Sequence, residues 1–295
     1  MRSLIVVALA AIAAAQDTNT TSSAASSSSN VQSISVAATS SSSVSPTTSS
    51  ASASVVTVAQ DGTGQFTAIN AAIAYAQNSG YPTVSVLPGT YSEALTIQGT
   101  QTVTIAGPSA TSYAGNQVVV AAAATGGVVS FNTQKSTGVT FKNVNVTNTF
   151  SPAGGKAPAV NMYGMNMAFY NCALVSTGTG AYTASFGTTL LYNSYIEGTD
   201  KLFYNYITLY VYGSTIVPTA SSASIFYGQG YQTGGVWYNS SIVVDSSTVQ
   251  QKPGLTNSYV YLAQPNANYT DAIFRNSNLG SLIAPTGVRT TVCNY

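Results

Sequence analysis

The chain contains no histidine, and its charged residues make up only 5% of 295, against roughly 25% in an average soluble domain. Without histidine there can be no Ser–His–Asp triad and no histidine-ligated metal. Two cysteines build neither a zinc ring nor a disulfide-dense scaffold; they leave open one bridge, Cys172–Cys293. The net charge is +1 with no basic cluster, which argues against nucleic acid as a partner, because phosphate binding needs several Lys or Arg on one face. Beyond the first fifteen residues no apolar run approaches the ~20 that span a bilayer. What is there is Tyr, Ser, Thr, Asn and Gly. Chemistry has to rest on a few carboxylates, amides and hydroxyls, with no metal and no cofactor implied.

Residues 1–15 (MRSLIVVALAAIAAA) combine Arg2, an apolar stretch from Leu4 to Ala15 and the small residues Ala13-Ala14-Ala15 before Gln16. This pattern predicts a secretory signal peptide. Residues 16–54 hold 17 Ser and 6 Thr and almost no large apolar side chain. Such a segment cannot bury enough surface to offset its chain entropy, so a disordered, O-glycosylated stalk is expected. Sequons at Asn19, Asn145, Asn239 and Asn268 fit a secreted chain.

From Val55 the composition shifts to Val, Ile, Tyr, Phe, Gly and Asn, and residues 55–295 suffice for one domain. One helix is expected, Phe66 to Asn78, with Phe66, Ile69, Ile73 and Ala76 on one face and Gly80 and Pro82 stopping it. The rest reads as short strands, and the strands repeat. FKNVNVTNT (141–149), FYNCALVST (169–177), LYNSYIEGT (191–199), VYGSTIVPT (211–219), WYNSSIVVD (237–245) and FRNSNLGSL (274–282) each open on a large apolar residue. The third position is Asn in five of the six, and the starts are 28, 22, 20, 26 and 37 residues apart. Period-two alternation inside a repeat of roughly 20–30 residues means one coil per repeat, because no coil buries its inner face alone. The expected fold is all-β: a right-handed parallel β-helix with one short N-terminal capping helix and a ladder of stacked Asn amides.

Several segments resemble the pectinesterase family. Val58-Ala59-Gln60-Asp61-Gly62-Thr63-Gly64-Gln65-Phe66 is similar to its opening motif, and Leu87-Pro88-Gly89-Thr90-Tyr91-Ser92-Glu93 to the segment after the helix. Ala168 to Cys172, Tyr195 to Thr199 and Tyr259 to Pro265 follow in the family's order. The resemblance is closest to secreted fungal-type members. It implies a carbohydrate groove along a parallel β-helix and, as partner, pectin or another cell-wall polysaccharide. The activity implied is hydrolysis of galacturonate methyl esters: one carboxylate attacks, a second serves as acid and base, Gln amides stabilise the oxyanion and an Arg holds the nucleophile.

Position by position, the resemblance puts the two Gln on Pro158 and Gly178, the acid/base Asp on Thr179, the nucleophilic Asp on Lys201, and the Arg and Trp on Gln264 and Asn266. All six differ from the family, so a lost catalytic constellation is expected. A register shift could bring Asp200 into the nucleophile's place, but neighbours on a strand face opposite ways. Glu197, Asp200 and Lys201 read as a solvated ion-pair group, Asp61 as a turn residue and Glu93 as a carboxylate bonding backbone donors at the first turn. In the segments that form the family's groove, Tyr182, Phe203, Tyr204, Tyr227 and Tyr231 are candidate sugar-contacting residues, since an aromatic ring offers an apolar face with a polar edge. Three functions stay open: a catalytically degenerate glycan-binding protein, an active pectin methylesterase with relocated residues, and a structural or adhesive wall protein. A monomer is expected.

Overall fold

The structure is a computed structural model; it describes residues 55–289 apart from 132–137, 152–154, 186, 207, 234–235, 255, 257–258 and 266–269, and the side chains of 205 and 231–238 are also left undescribed. The segments read as signal peptide and stalk, together with Cys293, lie outside the described residues.

Alternating burial along each short strand drives the architecture: Val56, Val58, Val84, Val86, Val103 and Ile105 point inward, and the residues between them do not. The chain winds as a right-handed parallel β-helix with three parallel sheets, of nine, seven and seven strands. Each complete coil takes one strand from each sheet, as in Met167–Tyr170, Ala173–Ser176 and Tyr182–Ala184. On the first sheet Ile105, Phe141, Phe169, Leu191, Val211, Val244 and Phe274 stand in register and form one inner column. Phe141 and Phe169 stack within it, centroids 5.1 Å apart.

The helix, α1 (Ile69–Ser79), packs Ile69, Ala72, Ile73 and Ala76 over the first coils and stops at Gly80, whose φ of 76° no residue with a Cβ adopts easily. Its N-terminal residue Ala68 carries no capping side chain. Glu93 supplies the cap from a distance: its two carboxylate oxygens accept the Ile69 and Asn70 N–H groups at 2.7 and 3.0 Å. Asp61 accepts from the Thr63 backbone and hydroxyl and shapes the turn before the helix.

Two expectations about the repeat are corrected. The fifth coil does not begin at Trp237. Val211 pairs with Val244, so the repeat resumes at Val244-Asp245-Ser246. An antiparallel hairpin, Tyr231–Thr233 with Val236–Tyr238, is inserted in that coil, and its Trp237-Tyr238-Asn239 imitates the motif. The third position is selected for backbone shape: Asn143, Asn171, Asn193, Gly213, Ser246 and Asn276 all have φ between 48° and 58°. Among the described third-position residues, Asn171 alone donates to its counterpart on a neighbouring coil, Asn143, at 3.3 Å. The ladder runs one residue later and is made of hydroxyls. Ser194, Ser214, Ser247 and Ser277 each accept the backbone N–H of the preceding coil's equivalent residue, at 3.0–3.2 Å. Each also donates to the carbonyl two residues before it. Cys172 takes the first rung, its Sγ 3.3 Å from the Tyr170 carbonyl, and burial pushes its thiol up to about 12.

Candidate functional site

The third sheet, from Leu95–Ile97 to Tyr261–Pro265, brings four of the five expected groove residues, Tyr182, Phe203, Tyr204 and Tyr227, onto neighbouring strands. Its register separates two rows. Val160, Tyr182, Phe203, Phe226 and Ala263 form one; Asn161, Thr183, Tyr204, Tyr227 and Gln264 form the other. The first row faces the core. Tyr182 and Phe203 are fully buried, and the Tyr182 hydroxyl reaches the Thr189 hydroxyl and, at 3.2 Å, the Met162 sulfur. Neither can touch a sugar, which corrects the expectation for both. The parity of the strand, set by pairing with Phe226, decides this.

Tyr204 and Tyr227, on the second row, are the two aromatic candidates placed toward the outer face. Their rings stack with centroids 4.9 Å apart and planes 22° apart. Each carries an ammonium: Lys156 Nζ lies 4.0 Å from the Tyr204 centroid, Lys201 Nζ 4.3 Å from the Tyr227 centroid. Burial and the neighbouring Tyr204 raise the Tyr227 hydroxyl above its ordinary range, so it stays a neutral donor. Beside the stack lies a cavity of about 290 Å³ lined by Lys156, Pro158, Asn161, Thr183, Tyr204 and Tyr206, among others. Asn161 and Thr183 are linked by a 2.9 Å hydrogen bond. The backbone of Tyr231 lies in the inserted hairpin; its side chain is among those not described.

The six positions matched by resemblance are distributed around this face. Pro158 lines the cavity, and its carbonyl accepts from the Asn148 side chain at 2.8 Å. Gly178 is packed so tightly that a Cβ there would come within 2.7 Å of the Gly155 carbonyl oxygen and 2.9 Å of the Ala157 Cβ. Thr179 bridges to Lys156 and exchanges backbone hydrogen bonds with Gly155 and Ala157. Gln264 is buried, accepting from the Ser224 hydroxyl at 3.1 Å. Asn266 lies outside the described residues.

Lys201 adopts φ 48°, and Asp200 explains how. Asp200 Oδ1 accepts the backbone N–H groups of Lys201 at 2.8 Å and of Ser224 on the next coil at 2.7 Å. The carboxylate is turned to the backbone while the Lys201 side chain runs to the aromatic stack.

Glu197 does not join Asp200 and Lys201. It is buried on the second sheet, where Oε1 pairs with Lys252 Nζ at 2.6 Å and Oε2 accepts from the Tyr195 hydroxyl at 2.6 Å. Burial, then the Glu197 contact, raises the Tyr195 hydroxyl well above its ordinary value. A second cavity of about 330 Å³ lies beside this pair, lined by Ser176, Thr177, Thr199 and Thr219. Reading the sequence missed Lys156 and Lys252, which arrive from distant coils without any local motif.

Of the sequons, Asn145 is committed to the fold: Nδ2 donates to the Tyr113 carbonyl at 3.1 Å, and Oδ1 accepts from Asn116 and Ala173. These bonds use one of the two amide hydrogens and hold the side chain against the fold. Asn239 is exposed, with its amide 3.2 Å from Asp271. Asn19 and Asn268 lie outside the described residues. Among the described residues no three Cys, Asp or Glu side chains gather as a metal site, and no helix is long and apolar enough to cross a membrane.

A family model described as Pectinesterase matches residues 55–292. The probable pectinesterase A of Neosartorya fischeri is 26% identical over 243 residues, 76% of this chain and 71% of that relative. The probable pectinesterase/pectinesterase inhibitor 20 of Arabidopsis thaliana is 35% identical over 143 residues, 44% of this chain, and the match spans 25% of that relative's length. Among solved structures, the pectin methylesterase from Aspergillus niger in deglycosylated form shares the fold, with a TM-score of 0.70, 23% identity and 83% of each chain covered.

Proposed function

The chain belongs to the pectinesterase family, and we propose that it is a secreted, monomeric member that holds pectin on the outer face of its third sheet and no longer hydrolyses the methyl ester. One observation carries this. At the position that the resemblance assigns to the nucleophile stands Lys201, its ammonium drawn over the Tyr227 ring, while the adjacent carboxylate, Asp200, is bonded to two backbone N–H groups. An ammonium at that place attacks no ester while it remains protonated. At the acid/base position, the Thr179 hydroxyl cannot replace a carboxylic acid that must give and take a proton near neutral pH. Gly178 leaves no room for an amide donor in this packing. Removing a nucleophile costs about 10⁴–10⁶ in rate in hydrolases where it has been measured, and an oxyanion donor about 10²–10³.

Binding is supported by the outer row, which offers amide, hydroxyl and phenol groups in register beside a cavity of about 290 Å³. A linear polymer can follow such a row, because successive strands step by about 4.8 Å. The test is retention of the purified protein on immobilised pectin, with methanol measured in the same samples. Retention without methanol fits the proposal. Methanol production or passage without retention would each refute it.

A further inference from the structure

We propose that this face selects the ester-free form of galacturonan, with the Lys156 and Lys201 ammonium groups pairing with free uronate carboxylates, a proposal that rests on the reading of the third sheet as a polysaccharide site.

The charge distribution points there. Of 8 Lys plus Arg in 295 residues, two converge on a single pair of rings. Lys252 and Arg275 are each paired with a carboxylate, at 2.6 and 2.7 Å. Lys156 and Lys201 have no ion-pair partner among the described residues. The carboxylate beside them, Asp200, directs Oδ1 at backbone donors. Neither ammonium of the stack is therefore in direct contact with a carboxylate among the described residues. The rings hold these ammonium groups in place by cation–π attraction, so little side-chain freedom is lost when an anion arrives.

The same geometry disfavours a neutral sugar. Stacking on a pyranose requires an open aromatic face. Here Tyr204 and Tyr227 engage one another and each has an ammonium over it. What remains for a ligand is phenol edges and ammonium donors, which suits an anion. A methyl ester removes the charge of a uronate, and with it the attraction to both lysines. Asn161 and Thr183, next along the row, are bonded to one another, and Asn161 also donates to the Gly126 carbonyl, so the ammonium groups are what this face offers an anion.

The experiment is affinity electrophoresis of the full chain in gels containing polygalacturonate, the same polymer fully methyl-esterified, or neutral galactan. Polygalacturonate is expected to bind at least about tenfold more tightly than the esterified polymer, and to weaken as salt rises to about 0.3 M. The double variant Lys156→Gln/Lys201→Gln should lose that preference while melting within a few degrees of the parent, since Lys156 is exposed and Lys201 half-exposed. Equal affinity for the two polymers, or a preference that survives in the double variant, would overturn this inference and leave the polysaccharide site standing. Binding to none of the three polymers would overturn the polysaccharide site itself.

Discussion

The Lys201 ammonium lies 4.3 Å from the centre of the Tyr227 ring, one coil further along the β-helix. The contact joins two adjacent coils and sets a half-exposed ammonium over a buried ring, which puts its worth at about 1 kcal/mol. Lys201→Met should therefore reduce the free energy of urea unfolding by no more than about 1 kcal/mol. Tyr227→Leu, which also removes a mostly buried ring, should cost about 2 kcal/mol. A loss above 3 kcal/mol for Lys201→Met would mean that the lysine supports the fold and is not held ready for a ligand.

Restoring an amide at the position of Gly178 should fail. A Cβ there would meet the Gly155 carbonyl oxygen at 2.7 Å, and the Gly155 backbone is bonded to Thr179 N–H at 3.0 Å. Gly178→Gln should destabilise the protein by about 1–3 kcal/mol and shift the third-sheet strands that follow it. Thermal melting measures the loss; a stability equal to the parent would show that the coil opens readily.

The buried serine column predicts a gradient along the axis. Ser214→Ala leaves the Ser194 N–H without its acceptor inside the fold and should cost about 1–3 kcal/mol. Ser277→Ala, on the last coil and only partly buried, should cost less than about 1 kcal/mol. Chemical denaturation of the two variants distinguishes these outcomes, and equal losses would contradict the ladder.

Asp245 gives the protein an acid-sensitive element. Burial alone would raise its carboxyl, but hydrogen bonds from Tyr210, Arg275, Asn276 and Ser246 outweigh this and bring it down to about 2. A depressed value stabilises the folded state above the unfolded value near 4, and the benefit fades as pH falls through 2. Asp245→Asn should therefore cost about 2 kcal/mol at pH 6 and close to nothing at pH 2. A pH-independent difference would assign the effect to packing.

The coil architecture was legible because inward apolar residues recur in the same place each turn, as from Phe141 to Phe169 to Leu191. It failed at Trp237, where an inserted hairpin happens to carry the same residue pattern. The Asn at the third position was visible, but its role was not: a positive φ and an amide ladder leave the same trace in a sequence. The candidate site was legible as a set of segments and not as a surface. Resemblance places Tyr182 and Phe203 in groove-forming strands, yet only cross-strand register turns them inward and Tyr204 outward. Lys156 reaches the same stack from an earlier coil, a proximity that no motif encodes. Asn145 sits in a sequon and also bonds Tyr113, Asn116 and Ala173, a tertiary role that the sequon does not reveal.

Methanol release from highly methylated pectin tests the central claim most directly, with the parent and Lys201→Asp assayed side by side. The account predicts background release from the parent, and background again from Lys201→Asp, because one carboxylate without an acid/base partner or amide donors does not rebuild the mechanism. Release above background by the parent, abolished by Asp200→Asn, would contradict it and make Asp200 the nucleophile.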